Sequence, residues 1–307
     1  MSNITFEKFN LDKYSDCVVV TDDKIASLYN IAGDNVYLLP QGEAAKSFEH
    51  VRALCSWLLS RNVGSCDKVV AIGGGSIGDT VGFTASIYKR GVQLLHVPTT
   101  LLAQIDSSIG GKTAIDLDGI KNAVGTFYEA DTLIDVDFLK TLDSEQLVSG
   151  QGEVLKYRML SSDVDSVYNY GKGNLSDVIK ACVLYKQAIC DTDPFDKSIR
   201  SMLNFGHTVG HALELSYGIP HGVAVANGIY YETLLASQLN VCFSEYADKW
   251  MKVVTSGFPI YPLAKSVLPL MLNDKKNTNG KVCFVLPGSF GKVYLSLDEV
   301  EELLLND

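Results

Sequence analysis

Five short runs rich in β-branched residues, DCVVVTD (16–22), NVYLLP (35–40), KVVAIGGG (68–75), QLLHVPTT (93–100) and DTLIDVD (131–137), alternate with amphipathic stretches over the first 140 or so residues. In KSFEHVRALCSWLLSRN, for example, apolar side chains recur at intervals of three and four, the period of a helix with one buried face. A strand, a helix and a further strand in that order pair only after the chain has crossed back over the sheet. The alternation therefore predicts parallel strands with right-handed crossovers, an open Rossmann-like α/β sheet. Beyond about residue 145 the pattern changes to longer helical segments such as LSDVIKACVLYKQAICD and GVAVANGIYYETLLASQL. Two domains are expected, an α/β domain over 1–148 and a mostly α-helical one over 149–307, meeting near DSEQLVSGQG.

With 307 residues, 47% of them apolar, the chain can bury a substantial core. Its net charge of -10, without a run of Lys or Arg, argues against nucleic acid or an anionic membrane as partner and favours a small molecule. The opening MSNITFEKFNLDKYSD has no basic segment followed by an apolar one, and no apolar run approaches the length of a bilayer span, so a cytoplasmic location is expected. Seven cysteines without a CxxC pair suggest neither a disulfide framework nor a zinc ribbon; they are expected to be reduced and mostly packed in the interior.

Gly73, Gly75 and Gly78 in GGGSIGD match GxGxxG, after a strand and opening a helix, where backbone N–H groups can hold a pyrophosphate. The acidic residue that usually follows about twenty positions on is missing between Asp79 and Asp106. The turn also follows the third strand instead of the first, so a dinucleotide held here must find its adenosine contacts earlier, at Asp22 and in QGEAAK (41–46). A purely structural glycine turn is the alternative. The next cluster, RGVQLLHVPTTLLAQIDSSIGGKTAIDLDGIKN, places Arg90, Thr99, Thr100, Asp106, Lys112, Lys121 and Asn122 within 33 residues. Gly110 and Gly111 predict a tight turn presenting the Lys112 ammonium, as an anionic substrate requires; the competing reading is a solvated loop.

Three of the five histidines lie in NFGHTVGHALELSYGIPHG, residues 204–222. His207 and His211 share a helix face, and His221 follows a Gly-Ile-Pro break that can return the chain toward them. Thr208 stands where a zinc protease helix carries its general base, which argues against peptide hydrolysis. A metal site completed by a carboxylate, with one position open to substrate, fits better. Glu153 in GQGEVLKYRM, with Lys156 a helical turn further on, is the attractive partner, but Asp191, Asp193 and Glu214 compete and spacing does not choose among them. His96, in the apolar run LLHVP, reads as a hydrogen-bonded core residue, and His50 as a surface helix residue.

Taken together the motifs resemble the 3-dehydroquinate synthases. The segments are VVAIGGGSIGDTVGF, YKRGVQLLHVPTTLLAQIDSSIGGKTAI, GIKNAVGTFY, FLKTL, GEVLKY, RSMLNFGHTVGHALE, HGVAVANG and NDKKNTNGKVCFVLPGSFG, in family order from about residue 16 to 295. The resemblance implies an N-terminal NAD-binding domain, a helical metal-binding domain and a cleft between them, and a carbon–oxygen lyase that converts 3-deoxy-D-arabino-heptulosonate 7-phosphate to 3-dehydroquinate with release of phosphate. It implies Glu153, His207 and His221 as ligands of zinc or cobalt, with His211 facing substrate instead of metal. NAD is expected to meet Asp22, Gln41, Gly42, Glu43, Lys46, Gly75, Ser76, Ile77, Gly78, Asp79, Thr99, Thr100, Lys112, Lys121, Phe138, Leu139, Lys140 and Thr141. Substrate contacts are expected from Asp106, Lys112, Asn122, Lys156, Lys186, Arg200, Asn204, His211 and one of Lys275 and Lys276. Arg90 corresponds to an arginine lent to a neighbouring subunit, which implies a homodimer.

Several positions depart from the family's pattern. Val223 replaces the Glu that commonly follows the last metal histidine, so weaker metal binding is expected. Gln146 stands where Glu is common, Asp143 where Pro is common, DTDPFDKSIR replaces a typical DExExGxR, and the N-terminus is shorter by about a strand or hairpin. Rival readings are a sister cyclase acting on a sugar phosphate without the carboxylate, a metal-dependent alcohol dehydrogenase, and a degenerate copy that binds without catalysing.

Overall fold

The computed structural model describes residues 3–170, 174–273, 276–288 and 290–305. Its contacts divide the chain into two compact units, Met1–Asp143 with Lys186–Phe195, and Ser144–Tyr185 with Asp196–Asp307. The division falls five residues before the one drawn from sequence, because the first helix of the second unit already begins at Ser144, and the segment Lys186–Phe195 counts with the first.

The first unit contains β1 (Ile4–Phe6), β2 (Val18–Asp22), α1 (Asp23–Tyr29), β3 (Val36–Leu39), α2 (Phe48–Ser60), β4 (Lys68–Gly73), α3 (Gly75–Ile87), β5 (Gln93–Pro98), β6 (Lys112–Leu117), β7 (Ile120–Phe127) and β8 (Asp131–Ile134). Six strands form one parallel sheet in the order β1-β8-β5-β4-β2-β3. All five predicted runs are strands of it. The added edge strand, β1, has three residues, too few for a periodic signal. Helix α2 shows why the amphipathic reading succeeds: Ser47 caps it by accepting the His50 N–H at 3.3 Å, and Val51, Leu54 and Leu58 are its buried stripe. His50 itself is partly buried on that helix.

Strand order fixes where a ligand can enter. From β2 the chain steps outward to β3, and from β4 it steps the other way to β5 and β8, so the order reverses between β2 and β4. Crevices in open α/β sheets form at the carboxyl ends of the strands at such a reversal. In the β2–β4 pairing Val18 is opposite Val69 and Val20 opposite Ala71, a register that brings Asp22 level with Gly73 at those carboxyl ends.

The second unit holds α4 (Ser144–Leu160), α5 (Ser162–Tyr170), most of α6 (Leu175–Thr192), α7 (His207–Tyr217), α8 (His221–Gln238), α9 (Ser244–Gly257), β9 (Val282–Val285), β10 (Lys292–Leu295) and α10 (Leu297–Leu305). It is mainly helical, as expected; the two-stranded antiparallel β9–β10 sheet is additional. Val223, Leu235, Val267, Met271 and Phe284 belong to its main apolar core. No described helix is long and apolar enough to cross a membrane. None of the seven cysteines is in a disulfide; Cys182, Cys190 and Cys283 are buried and Cys66 is exposed.

His96 on β5 is buried, as the sequence suggested, but its ring has no hydrogen-bond partner among the described residues. Burial lowers its pKa from 6.5 to about 4. The unfolded chain then takes up a proton as pH falls below 6.5, before the folded chain does. Stability should fall by roughly 3 kcal/mol between pH 6.5 and 4 on this account. Urea unfolding across that range should show a shallower acid limb for His96→Phe; an unchanged limb would assign the pH dependence elsewhere.

Candidate active site

Helices α4 and α8 touch backbone to backbone. A Cβ on Gly152 would lie 1.9 Å from the Gly222 carbonyl oxygen, and one on Gly222 would lie 1.5 Å from that of Ser149. The Ser149 hydroxyl also accepts the Gly222 N–H at 3.0 Å. This crossing puts Glu153, next after Gly152, beside His221, which precedes Gly222. Helices α7 and α8 approach in the same way, since a Cβ on Gly228 would lie 1.8 Å from the Gly206 carbonyl oxygen. That brings His207, first residue of α7, to the same point.

The result is a group of three possible ligands, Glu153, His207 and His221, whose ligating atoms lie within 4.8 Å of one another. His207 Nε2 is 3.3 Å and His221 Nε2 3.4 Å from Glu153 Oε1. Ligand atoms about 2.1 Å from a tetrahedral metal stand about 3.4 Å apart, so the donor set has the spacing that one divalent ion requires. The far nitrogens are already engaged. His207 Nδ1 is 3.1 Å from the Phe205 carbonyl and His221 Nδ1 is 2.9 Å from Glu214 Oε2, which turns both Nε2 atoms toward Glu153. Burial holds His207 below its ordinary pKa, in the neutral form that ligates.

Glu153 is fully buried, and neither of its oxygens has a hydrogen-bond donor in bonding geometry. A carboxylate so placed needs positive charge. Burial alone would raise its pKa, but Lys156, ion-paired with it one helical turn on, and the two imidazoles hold it well below the usual range. Lys156 balances its charge, and a metal ion would satisfy the unbonded oxygens. His211 has its ring centre 5.3 Å from that of His207 and 5.8 Å from that of His221, yet it is exposed and outside the ligand group. Among the competing carboxylates, Glu214 lies behind His221 instead of beside the ligand atoms.

Glu232 was missed from sequence. It is fully buried on α8 and accepts the N–H groups of Gly206 at 2.7 Å and of Thr208 and Val209 at 3.1 Å each. Gly206 caps α7 with no side chain of its own, so Glu232 satisfies the helix end that carries His207. Burial pushes the Glu232 carboxyl up to about 7 against those hydrogen bonds. Its signal was available: it is the one acidic residue of α8, eleven residues or three helical turns from His221.

In the first unit, α3 begins at the glycine turn with Gly74 as its cap and no side-chain cap, leaving its first N–H groups for a ligand. The glycines also have packing reasons, since a Cβ on Gly73 would lie 2.7 Å from Ile77 and one on Gly75 3.1 Å from the Ser107 hydroxyl. Around the turn, the Ser76 hydroxyl donates to Glu43 at 3.0 Å, and the buried Lys46 bonds both Asp79, at 2.8 Å, and Asn122. Asp22 caps α1 by accepting the Ile25 N–H at 2.9 Å, and Gln41 donates to Asp23 at 2.6 Å. Thr99 donates its N–H to the Gly73 carbonyl, and the Thr100 hydroxyl accepts the Ala103 N–H. Gly42 has φ +66, Ile77 is buried and Gly78 packs against His96.

One region differs from expectation. The cluster read as a turn or loop is an antiparallel β6–β7 hairpin, with Gly110 and Gly111 at positive φ directly before Lys112. Lys112, Lys121 and Asn122 are exposed on it. Of the 138–141 segment, Phe138 and Leu139 are core residues, Phe138 with its ring 4.7 Å from that of Tyr29, while Thr141 bonds the Tyr29 hydroxyl at 2.6 Å and the exposed Lys140 pairs with Asp137 at 2.6 Å. The side chains of Phe138 and Leu139 are thus taken up by packing.

Comparison with known proteins agrees with this plan. The models of the 3-dehydroquinate synthase N-terminal and C-terminal regions match residues 36–149 and 150–277. The 3-dehydroquinate synthases of Alkaliphilus metalliredigens and Dictyoglomus turgidum are each 37% identical to the chain, over 93% and 95% of it and 87% of their own lengths. This chain belongs to the 3-dehydroquinate synthase family. Among solved structures, a 2-deoxy-scyllo-inosose synthase complexed with carbaglucose-6-phosphate, NAD+ and Co2+ shares the fold with a TM-score of 0.84 at 23% identity, covering 99% of this chain and 96% of that one.

The remaining positions that the 3-dehydroquinate synthase resemblance assigns to substrate are placed as follows. In the first unit the buried Lys186 ammonium donates to the Asp106 carbonyl at 2.6 Å and lies 3.0 Å from its carboxylate, and Arg90 is exposed after α3 with φ 67. In the second, Arg200 is buried on a single 3-10 segment with Asn204, whose amide donates to the Ser201 carbonyl, and Lys276 reaches the Thr208 hydroxyl at 3.4 Å. Lys275 lies outside the described residues.

Three substitutions probe the second unit. Metal analysis of purified variants should find the ion missing from His207→Ala and retained in His211→Ala; loss in both would restore a three-imidazole site. Gly152→Ala should force α4 from α8, lowering stability by about 3 kcal/mol and abolishing metal uptake, as thermal unfolding and metal titration would show.

Proposed function

We propose that the chain is a 3-dehydroquinate synthase: a lyase that cyclises 3-deoxy-D-arabino-heptulosonate 7-phosphate to 3-dehydroquinate with loss of phosphate, using NAD and one divalent metal, zinc or cobalt. The observation that carries this reading is the convergence of two braced imidazoles on the buried Glu153, in a chain whose 37% identical relatives bear that name. Glu153, His207 and His221 would hold the metal. Asp22, the loop from Gln41 to Lys46 and the turn from Gly75 to Asp79 would hold NAD, which suits their place at the reversal of strand order. When bound, NAD supplies reversible hydride acceptance and the metal supplies Lewis-acid polarisation of a hydroxyl.

The chain's own residues bind and orient a doubly anionic substrate. Lys112, Lys186, Arg200 and Lys276 offer cations to its carboxylate and phosphate, and Asn122 and Asn204 offer amides. Lys46 bonds Asn122 and Asp79, so the group that steadies the NAD turn also fixes an amide of the substrate set. His211 is exposed beside the ligand imidazoles, a position from which it would hold or move a proton at a substrate oxygen. Arg90, exposed, would complete a neighbouring copy's site, making the enzyme a homodimer. Seven cysteines without a disulfide among them suit a reducing cytoplasm.

Phosphate release should be measured with heptulosonate 7-phosphate and sedoheptulose 7-phosphate in parallel. The first should react, with no net NADH, with loss of activity in chelator and recovery on adding zinc or cobalt. Preference for the second substrate would move the chain to the sister cyclases; net NADH would move it to the dehydrogenases; no release at all would leave a binding protein. In the active case His211→Ala should lower kcat by at least about 100-fold, the usual scale of a lost acid–base group.

A further inference from the structure

We propose that Glu214 is the positioning residue of the metal centre, bracing His221 and supplying the outer carboxylate that Val223 does not provide. The inference rests on the functional reading above and adds a determinant of metal affinity to it. Val223, the position at which sequence comparison looked for that carboxylate, is buried in the apolar core of the second unit. Glu214 instead approaches from the neighbouring helix, its Oε2 2.9 Å from His221 Nδ1.

The need for a brace is unequal among the ligands. Glu153 is fully buried, and the His207 side chain is 12% exposed and anchored to the Phe205 carbonyl. The His221 side chain is 30% exposed and opens α8 directly after Pro220, with no turn of helix before it to limit its rotamers. A carboxylate on Nδ1 fixes its tautomer, points Nε2 at Glu153 and raises the basicity of the ligating nitrogen. Helix geometry makes α7 the natural donor. Residues 207 and 214 are seven apart, two turns, so one face of α7 carries both a ligand and the brace of the ligand on the next helix.

Charge points the same way. Glu153 and Lys156 carry opposite charges, so with both imidazoles in the neutral form that ligates, Glu214 is the further negative charge set against a divalent ion. The expected weakness of metal binding at Val223 is therefore replaced by dependence on Glu214.

The test is the dissociation constant for Zn2+, measured by competition with a chromogenic chelator in the absence of NAD and substrate, for wild type, Glu214→Ala and Glu214→Gln. Glu214→Ala should bind 10- to 100-fold more weakly, the usual loss when an outer partner of a metal histidine is removed. Glu214→Gln, whose amide oxygen still accepts the Nδ1 hydrogen but carries no charge, should fall between the two. The visible spectrum of the Co2+-loaded Ala variant should also change, whereas a residue serving only to stabilise the helix would alter the unfolding temperature of the metal-free protein and leave that spectrum alone. Wild-type affinity and an unaltered Co2+ spectrum in both variants would overturn the proposal while leaving the functional reading intact. A wild-type chain that takes up no metal would instead sink that reading, and this proposal with it.

Discussion

The second unit depends on backbone contact between α4 and α8 at Gly152 and Gly222. Nothing larger than hydrogen fits at either position, so the two helices lie as close as their main chains permit. That distance decides whether a carboxylate on one helix and an imidazole on the other can share an ion. A side-chain layer between them would separate helix axes to the 8–10 Å typical of ordinary packing and draw Glu153 out of reach of His221. Burial of Glu153 follows from the same contact, and with it the need for Lys156 and a metal. The second small-residue crossing, Gly206 with Gly228, then brings in His207, and Glu232 takes the place of the side-chain cap that a glycine cannot give.

The first unit solves a different problem, that of leaving polar backbone available. Reversal of strand order between β2 and β4 opens the sheet at its carboxyl end, and the uncapped start of α3 faces that opening with amide groups. Lys46, buried, is held by Asp79 from α3 and by Asn122 from the hairpin, so three stretches of chain far apart in sequence have their positions tied to one ammonium group.

The parts of this arrangement legible in the sequence are those that local periodicity encodes. Four of the five predicted strands, β2, β4, β5 and β8, are interior and largely buried because both faces of a parallel sheet are covered; β3 is an edge strand, and each of the five was placed to within a few residues. The β6–β7 hairpin escaped notice because β7 is exposed on most of its positions and carries no alternation. Spacing offered four carboxylates as partners for the histidines and could not choose, since the choice is made by a helix crossing some seventy residues away in sequence. The family resemblance named Glu153; Glu214, the last residue of the quoted segment RSMLNFGHTVGHALE, was read only as a rival ligand, and its place behind His221 is set by the packing of α7 against α8, which no spacing shows. Phe138 and Leu139 show the reverse case, a motif whose side chains are spent on the core.

Helix α6 leaves a mark on how such a chain can be inherited. Lys186, near its end, bonds Asp106 in the first unit, whereas the helix begins in the second. A single recombination event near residue 144 would thus deliver Asp106 from one parent and Lys186 from the other. The two units cannot be exchanged between relatives as intact cassettes, and the pair must be kept compatible across the break or transferred by a second crossover beyond residue 195.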